Sequence, residues 1–259
     1  MSYDFKYGRL WLSEFNGFTS KKPDIDIAEY DYTFVDTPGK DGSDCVDNHR
    51  YKNVLFSREV VFNAQKNRRL EGMTDRLKNW LAYFRGYQDF EDTLHPGMIT
   101  QAILKNQAEI VSLLDGRINT ATLKFSRMPY WYRKDALEYR EADLTEASAT
   151  FINPYPAEAE PIIYFRFDSS STDPATITYT VTTGGATAEY TMANIPVSNS
   201  VDLFVDCQKQ EIRSGQGASL KYLDGSLPRY FAEGSTAVAV TAGKNRLSAL
   251  YVMPRWRCL

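Results

Sequence analysis

Histidine occurs twice in the 259 residues, at His49 and His95, and cysteine three times, at Cys45, Cys207 and Cys258. So little imidazole narrows every mechanism that needs a general base near neutral pH. An odd number of widely spaced cysteines with no C-x-x-C pair is neither a disulfide framework nor a zinc pattern, and reads as reduced, partly buried thiols. A basic excess is also missing: 30 Lys and Arg stand against 33 Asp and Glu, a formal net charge of -3. That leaves no electrostatic footprint for specific nucleic-acid binding. No apolar run approaches the ~18 residues of a membrane helix, and the start, "MSYDFKYGRLWL", has no signal-peptide h-region. The expectation is a chain made and assembled in the cytoplasm, away from membranes. G-x-S-x-G, H-E-x-x-H and G-x-G-x-x-G do not occur, so no catalytic, cofactor or metal residue is assigned.

What is present is a core. The chain is 43% hydrophobic and 14% aromatic, enough for one large or two ordinary domains. The first half reads as mixed α and β. "GRLWLSEFNGF" alternates loosely and meets an Asn16-Gly17 hairpin signal. "IDIAEYDYTFV" reads as strand, with Ile25, Ile27, Tyr30, Tyr32 and Phe34 largely on period two, and "KNVLFSREVVFNA" follows as another. In "NRRLEGMTDRLKNWLAYFRGY", residues Leu70, Met73, Leu77, Trp80, Leu81 and Phe84 form one stripe of helical period, with Gly86 placed to end it. That stripe is expected to pack on its own domain's sheet. "MITQAILKNQAEIVSLL" and "INTATLKFSRMPYWY" predict a hairpin about Asp115–Arg117.

From about residue 133 the chain is charged, then small and polar, then punctuated by Pro154, Pro156 and Pro161. This composition places a domain boundary near 148/149, giving domains 1–148 and 149–259. Beyond it, short strands parted by Gly, Pro, Asp and Asn predict a β-sandwich. The fold class is mainly β (α+β).

Three stretches have residue types that bear on chemistry. "TPGKDGSD", Thr37 to Asp44, is neither a P-loop, which needs a G-K-[ST] before a helix, nor a calcium loop, which needs alternating oxygen ligands and a terminal Glu. It reads as a solvated arm between two strands, with turns at Pro38-Gly39 and Asp41-Gly42. Cys45, Asp47 and His49 have the types of a metal cluster or thiol–imidazole pair but lack further ligands. Trp11, Trp131, Trp256 and "MPYWY" offer stacking faces for sugars or bases, or a plug of aromatics at a domain edge.

The order of motifs adds a resemblance. "FNG", "TPGKDG" and "YKNVLFSREVVF" precede an amphipathic helix and "DTLHPGMITQAIL". Then come "LKFSRMPYWY", the hinge "INPYPAEAEPIIYF", "VDLFVDCQKQEI", "YLDGSLPRYFAEGSTAVAV" and "MPRWRCL". In this order they resemble the distal tail proteins of long-tailed bacteriophages, the Dit family, over nearly the whole chain. Lys40 stands where arginine is common, and Ser235 where asparagine is usual. The resemblance implies an N-terminal, β-sandwich or split-barrel-like ring domain with one helix, and a C-terminal galectin-like β-sandwich. It implies a homohexameric ring in the virion, joining the tail tube protein to tail-tip, baseplate or receptor-binding proteins, with DNA passing through the channel. Thr37, Pro38, Gly39, Lys40, Asp41 and Gly42 would then form an inter-subunit or channel-lining loop. Two rivals remain. One is a carbohydrate-binding module of a tail-tip adhesin, although both histidines precede residue 100 and Trp256 is the only tryptophan of the second half. The other is a hydrolase, which no constellation supports.

Overall fold

A computed structural model describes residues 3–63, 70–105, 109–113, 118–146, 148–168, 174–195, 202–214, 228 and 230–259. They form two compact units, Met1–Trp131 with Leu259, and Tyr132–Cys258. The division precedes the boundary read from composition. Ala136 and Ala142 are buried in the core of the second unit, and the strand Arg140–Ala142 pairs there with Leu250–Val252. A charged, linker-like stretch is thus held by edge pairing and two small buried side chains.

The first unit contains β1 (Phe5–Tyr7), β2 (Leu10–Trp11), β3 (Gly17–Thr19), β4 (Tyr30–Asp36), β5 (Ser43–Tyr51), β6 (Val54–Asn63), α1 (Leu70–Tyr83), β7 (Gln88–Asp92), β8 (Met98–Leu104), β9 (Ile110–Leu113) and β10 (Ile118–Arg127). The sheet runs β2-β1-β7-β8-β10-β6-β3, with β9 also on β10. β6 shows why it forms. Val54, Phe56, Arg58, Val60 and Phe62 are buried while Leu55, Ser57 and Glu59 face outward, a strict period of two. β9 and β10 make the expected antiparallel pair, and their turn at Asp115–Arg117 lies outside the described residues.

α1 buries Leu77, Trp80 and Leu81 and exposes Asp75, Arg76, Lys78 and Asn79. Trp80 stacks on Phe15 at 4.8 Å, and its Nε1 donates to the Tyr7 carbonyl at 2.8 Å. The side chains of Leu70 and Met73 lie outside the described residues.

Two strand expectations need correction. Asn16-Gly17 is not a hairpin turn: Asn16, at φ 51, closes a 3-10 turn over Leu12–Phe15. Gly17 then starts β3, where a Cβ would fall 2.6 Å from Leu12 Cδ1. The close approach, not a turn, requires glycine. The first hairpin is β1–β2 instead. The strand predicted from Ile25 begins at Tyr30, and Ile25 and Ile27 are each 82% exposed.

The second unit is a sandwich. Its strands are β11 (Trp131–Arg133, counted from Tyr132), β12 (Arg140–Ala142), β13 (Ala149–Asn153), β14 (Ile162–Phe167), β15 (Ala175–Thr183), β16 (Ala186–Ile195), β17 (Asp202–Asp206), β18 (Glu211–Ser214), β19 (Gly234–Ala242), β20 (Leu247–Met253) and β21 (Arg257–Cys258). One sheet has the order β12-β20-β14-β17-β18 and the other β13-β19-β15-β16. Ile163, Phe165, Leu203 and Val252 of the first sheet share one core with Ile177, Tyr179, Val181 and Val238 of the second. The expected strand around 219–225 lies outside the described residues.

Candidate interaction site

β4 and β5 pair with each other and, among the described residues, with no other strand. At the base of this arm Tyr30 meets Tyr51 edge-on at 4.8 Å, and Tyr51 meets Tyr130 at 5.8 Å. Asp31 is mostly covered there, with Arg50 Nε 2.7 Å from its Oδ2. That hydrogen bond holds the Asp31 carboxyl below the usual carboxylate range.

Further out the arm has no core. Cross-strand register puts Tyr32 and Phe34 on one face, beside Asp47 and Cys45, and Val35 on the other with Val46. Phe34 is 68% exposed, and Val35 and Val46 are each 47% exposed. A two-stranded ribbon gains little from burial on its own. Apolar side chains on both of its faces form a surface suited to being covered by another molecule.

The predicted loop is the tip of this arm. Gly39 and Gly42 take φ 82 and 81, which lets two tight turns follow one another. Lys40 Nζ bonds Asp44, and Thr37 Oγ1 donates to Asp44 Oδ2 at 2.9 Å. These contacts, Lys40 first, lower the Asp44 pKa. Ser43 Oγ donates to Asp36 Oδ1 at 2.5 Å. Within the chain the lysine therefore already has its carboxylate.

The anchor of the arm was not legible as a motif. In Ile25-Asp26-Ile27 the usual arrangement is inverted: both isoleucines face solvent, while Asp26 meets Arg58 and Arg127. Arg58 Nη1 is 4.0 Å from Asp26 Oδ2, and Arg127 Nη2 donates to the Asp26 carbonyl at 3.0 Å. Arg58 Nη2 is also 3.5 Å from Asp92 Oδ2, and the Asp92 side chain is 2% exposed. Asp92 Oδ1 accepts from the His95 backbone N–H at 2.9 Å, with His95 Nδ1 at 2.8 Å. Burial pushes Arg58 below the guanidinium range and Asp26 above the carboxylate range, and their mutual attraction opposes both shifts. A signal existed: the period-two phase of "VLFSREVVF" and "ATLKFSR" puts Arg58 and Arg127 at core positions of their strands.

Other sequence candidates disperse. His49 sits at φ 53 in a bulge of β5, 85% exposed, with Nδ1 3.4 Å from Asp47 Oδ2, which breaks the alternation that would align it with Cys45. His95 stacks on Trp131 at 4.3 Å. Trp256 is buried and lies 6.1 Å from Phe231, so it offers no open face to a sugar. On the outer face of the five-stranded sheet Tyr164 is sandwiched between Phe204 at 4.5 Å and Tyr251 at 5.3 Å. Its two faces are spent on neighbouring rings. The thiols also differ. Cys45 is exposed, whereas burial drives Cys207 far above the usual thiol range. Labelling the native protein with iodoacetamide is expected to modify Cys45 and to reach Cys207 only in denaturant. Labelling of native Cys207, read by peptide mass spectrometry, would contradict the sandwich core described above.

No protein-family model matches the chain, and no curated protein sequence matches it. Solved structures do match, nine chains in all. One is the Dit protein (gp 19.1) of phage SPP1, described as a paradigm of the hub adsorption apparatus in phages that infect Gram-positive hosts. It shares 14% identity over 97% of this chain and 98% of that one, with a TM-score of 0.69. Another belongs to the phage P2 baseplate in its activated conformation with Ca, with 9% identity, 97% of each chain covered and a TM-score of 0.53. At such identities the likeness establishes the fold, which extends through both units.

Proposed function

We propose that this chain is a structural hub subunit of a phage tail, of the distal tail (Dit) type, with no catalytic site. The reading rests on the full-length correspondence of fold with the SPP1 hub protein. It is supported by an arm whose apolar side chains have no cover among the described residues. Six copies would close a ring between the tail tube and the tail-tip or baseplate proteins of the virion, with the second unit as a galectin-like module. A slightly acidic chain suits a DNA channel, because a lysine- and arginine-lined lumen would hold phosphates through counterion release.

In this ring the β4–β5 arm contacts the neighbouring subunit. The apolar side chains of Tyr32, Phe34, Val35 and Val46 supply the contact, and Thr37 to Gly42 shape its tip. Because Lys40 is paired with Asp44, the tip contributes turn geometry more than a new ion pair.

Two variants test this by native mass spectrometry and negative-stain imaging. One replaces Pro38 to Gly42 with a short Gly-Ser linker, and the other is Phe34→Ser with Val46→Ser. All these positions are exposed in the single chain, so the melting temperature of the monomer is expected to hold while the hexamer population falls. An unchanged hexamer in both variants would reject the arm as the interface. A wild-type protein that forms no ring at any concentration, alone or with tail-tube protein, would reject the hub reading itself.

A further inference from the structure

Among the described residues β16, ten residues, Ala186–Ile195, "ATAEYTMANI", is a long edge of the four-stranded sheet with no strand paired on its outer side. Natural edge strands are commonly blunted by lysine, proline or brevity. This one has no lysine, arginine or proline, and a single charge, Glu189. The edge of the companion sheet at β18 is by contrast four residues long and carries Glu211 and Arg213.

The register fixes which backbone groups are open. β15 and β16 are joined by the two-residue turn Gly184-Gly185, both at positive φ, with Thr183 opposite Ala186. A two-residue hairpin closes on a hydrogen-bonded pair, and such pairs then alternate. Ala186, Ala188, Tyr190 and Met192 therefore bond to β15. The N–H and C=O groups of Thr187, Glu189 and Thr191 point away from it. Among the described residues none of the three makes a backbone hydrogen bond outside the ladder. Ala186 and Ala188 flank Thr187 with small side chains, so another backbone can approach there. On the core-facing side Ala188 is exposed and Tyr190 is only half-buried, stacked on Tyr179 at 5.3 Å.

We propose that β16 is a strand-addition site for an extended segment of a different polypeptide. The geometry specifies the occupant's chemistry. Residues on one face are apolar, to cover Ala188 and Tyr190, and those on the other are β-branched or polar beside Thr187 and Thr191. A lysine or arginine sits opposite Glu189. A second copy of this chain fits less well. Two-fold pairing of the three open positions with themselves, Thr187 opposite Thr191, puts Glu189 directly opposite Glu189, a like-charge pair at the centre of the ladder. The site belongs to the second unit alone and does not depend on ring formation.

The test uses the full-length protein and two hexapeptides, acetyl-Thr-Val-Lys-Val-Thr-Val-amide and its Lys→Glu counterpart. Isothermal titration and amide hydrogen exchange are the readouts. The lysine peptide is expected to bind and to slow exchange at Thr187, Glu189 and Thr191. Glu189→Pro removes an N–H that faces solvent, which an edge strand tolerates, and is expected to abolish binding with the melting temperature kept. Glu189→Lys is expected to weaken the lysine peptide at least tenfold and to favour the glutamate peptide. Binding that survives Glu189→Pro, protection confined to other segments, or no binding by either peptide at millimolar concentration would each overturn the proposal. So would concentration-dependent self-association that Glu189→Pro removes, because the occupant would then be a second copy.

Discussion

Replacing Trp80 by alanine is expected to destabilise the first unit by about 3–5 kcal/mol, the usual cost of removing a buried aromatic side chain. The indole is 3% exposed, stacks on Phe15 at 4.8 Å and on Phe5 at 6.1 Å, and bonds the Tyr7 carbonyl at 2.8 Å. Alanine leaves a cavity between α1 and the sheet and removes the indole hydrogen bond to the Tyr7 carbonyl on β1. The polar part can be separated from the packing part. Trp80→Phe keeps most of the volume and loses the hydrogen bond, and its cost is expected near 1 kcal/mol plus a smaller cavity term. Denaturant melts of the two variants check this. A Trp80→Ala protein within about 1 kcal/mol of wild type would mean that α1 does not hold this unit together.

Arg58→Met is expected to cost a similar ~3–5 kcal/mol, for a different reason. It removes no large apolar surface, and methionine has nearly the right length. It leaves the Asp92 carboxylate, 2% exposed, without its guanidinium, and cuts the link to Asp26 at the base of the arm. The companion is Arg58→Met with Asp92→Asn. With both charges gone, the double variant is expected to be more stable than Arg58→Met alone, because an uncompensated buried charge is worse than none. The ion pair is long at 3.5 Å, and Arg58 Nε and Asp92 Oδ2 have no hydrogen-bond partner. The cluster is thus stabilising chiefly against the loss of one member. Equal or additive losses in the double variant would show that the two charges do not act as a pair. Hydrogen exchange adds a second readout. Loss of Arg58 should raise exchange through 25–31 if this cluster anchors the strap below the arm.

The local periodicities carried much of the fold. The helical stripe at Leu77, Trp80 and Leu81 and the alternation from Val54 to Phe62 both state which side is buried, because 3.6 and 2.0 are properties of the backbone. The parting of the later strands by Gly, Pro, Asp and Asn was equally plain, and at Gly184-Gly185 the structure shows why glycine stands there, with positive φ at both positions. The order of motifs also pointed to the distal tail resemblance, and the observed fold is of that kind.

What sequence could not decide was context. "IDIAEYDYTF" has strand alternation, yet Ile25 and Ile27 face solvent and Tyr32 and Phe34 stand on an uncovered ribbon. Periodicity gives a face but not what lies against it. Asn16-Gly17 carries a hairpin signal, but a hairpin also needs a partner strand next to it, and β3 finds its partner in distant β6. The boundary near Trp131 was hidden because Ala136 and Ala142 are too small to announce a core position. Arg58, Asp92 and Asp26 lie far apart in the chain, and an arginine at a core phase looks like an error in the pattern until its carboxylates arrive from other strands. Sequence set the secondary structure through local backbone preference. The buried charge cluster, the bare arm and the open edge of β16 exist only because long-range pairing brings some side chains together and leaves others without a neighbour.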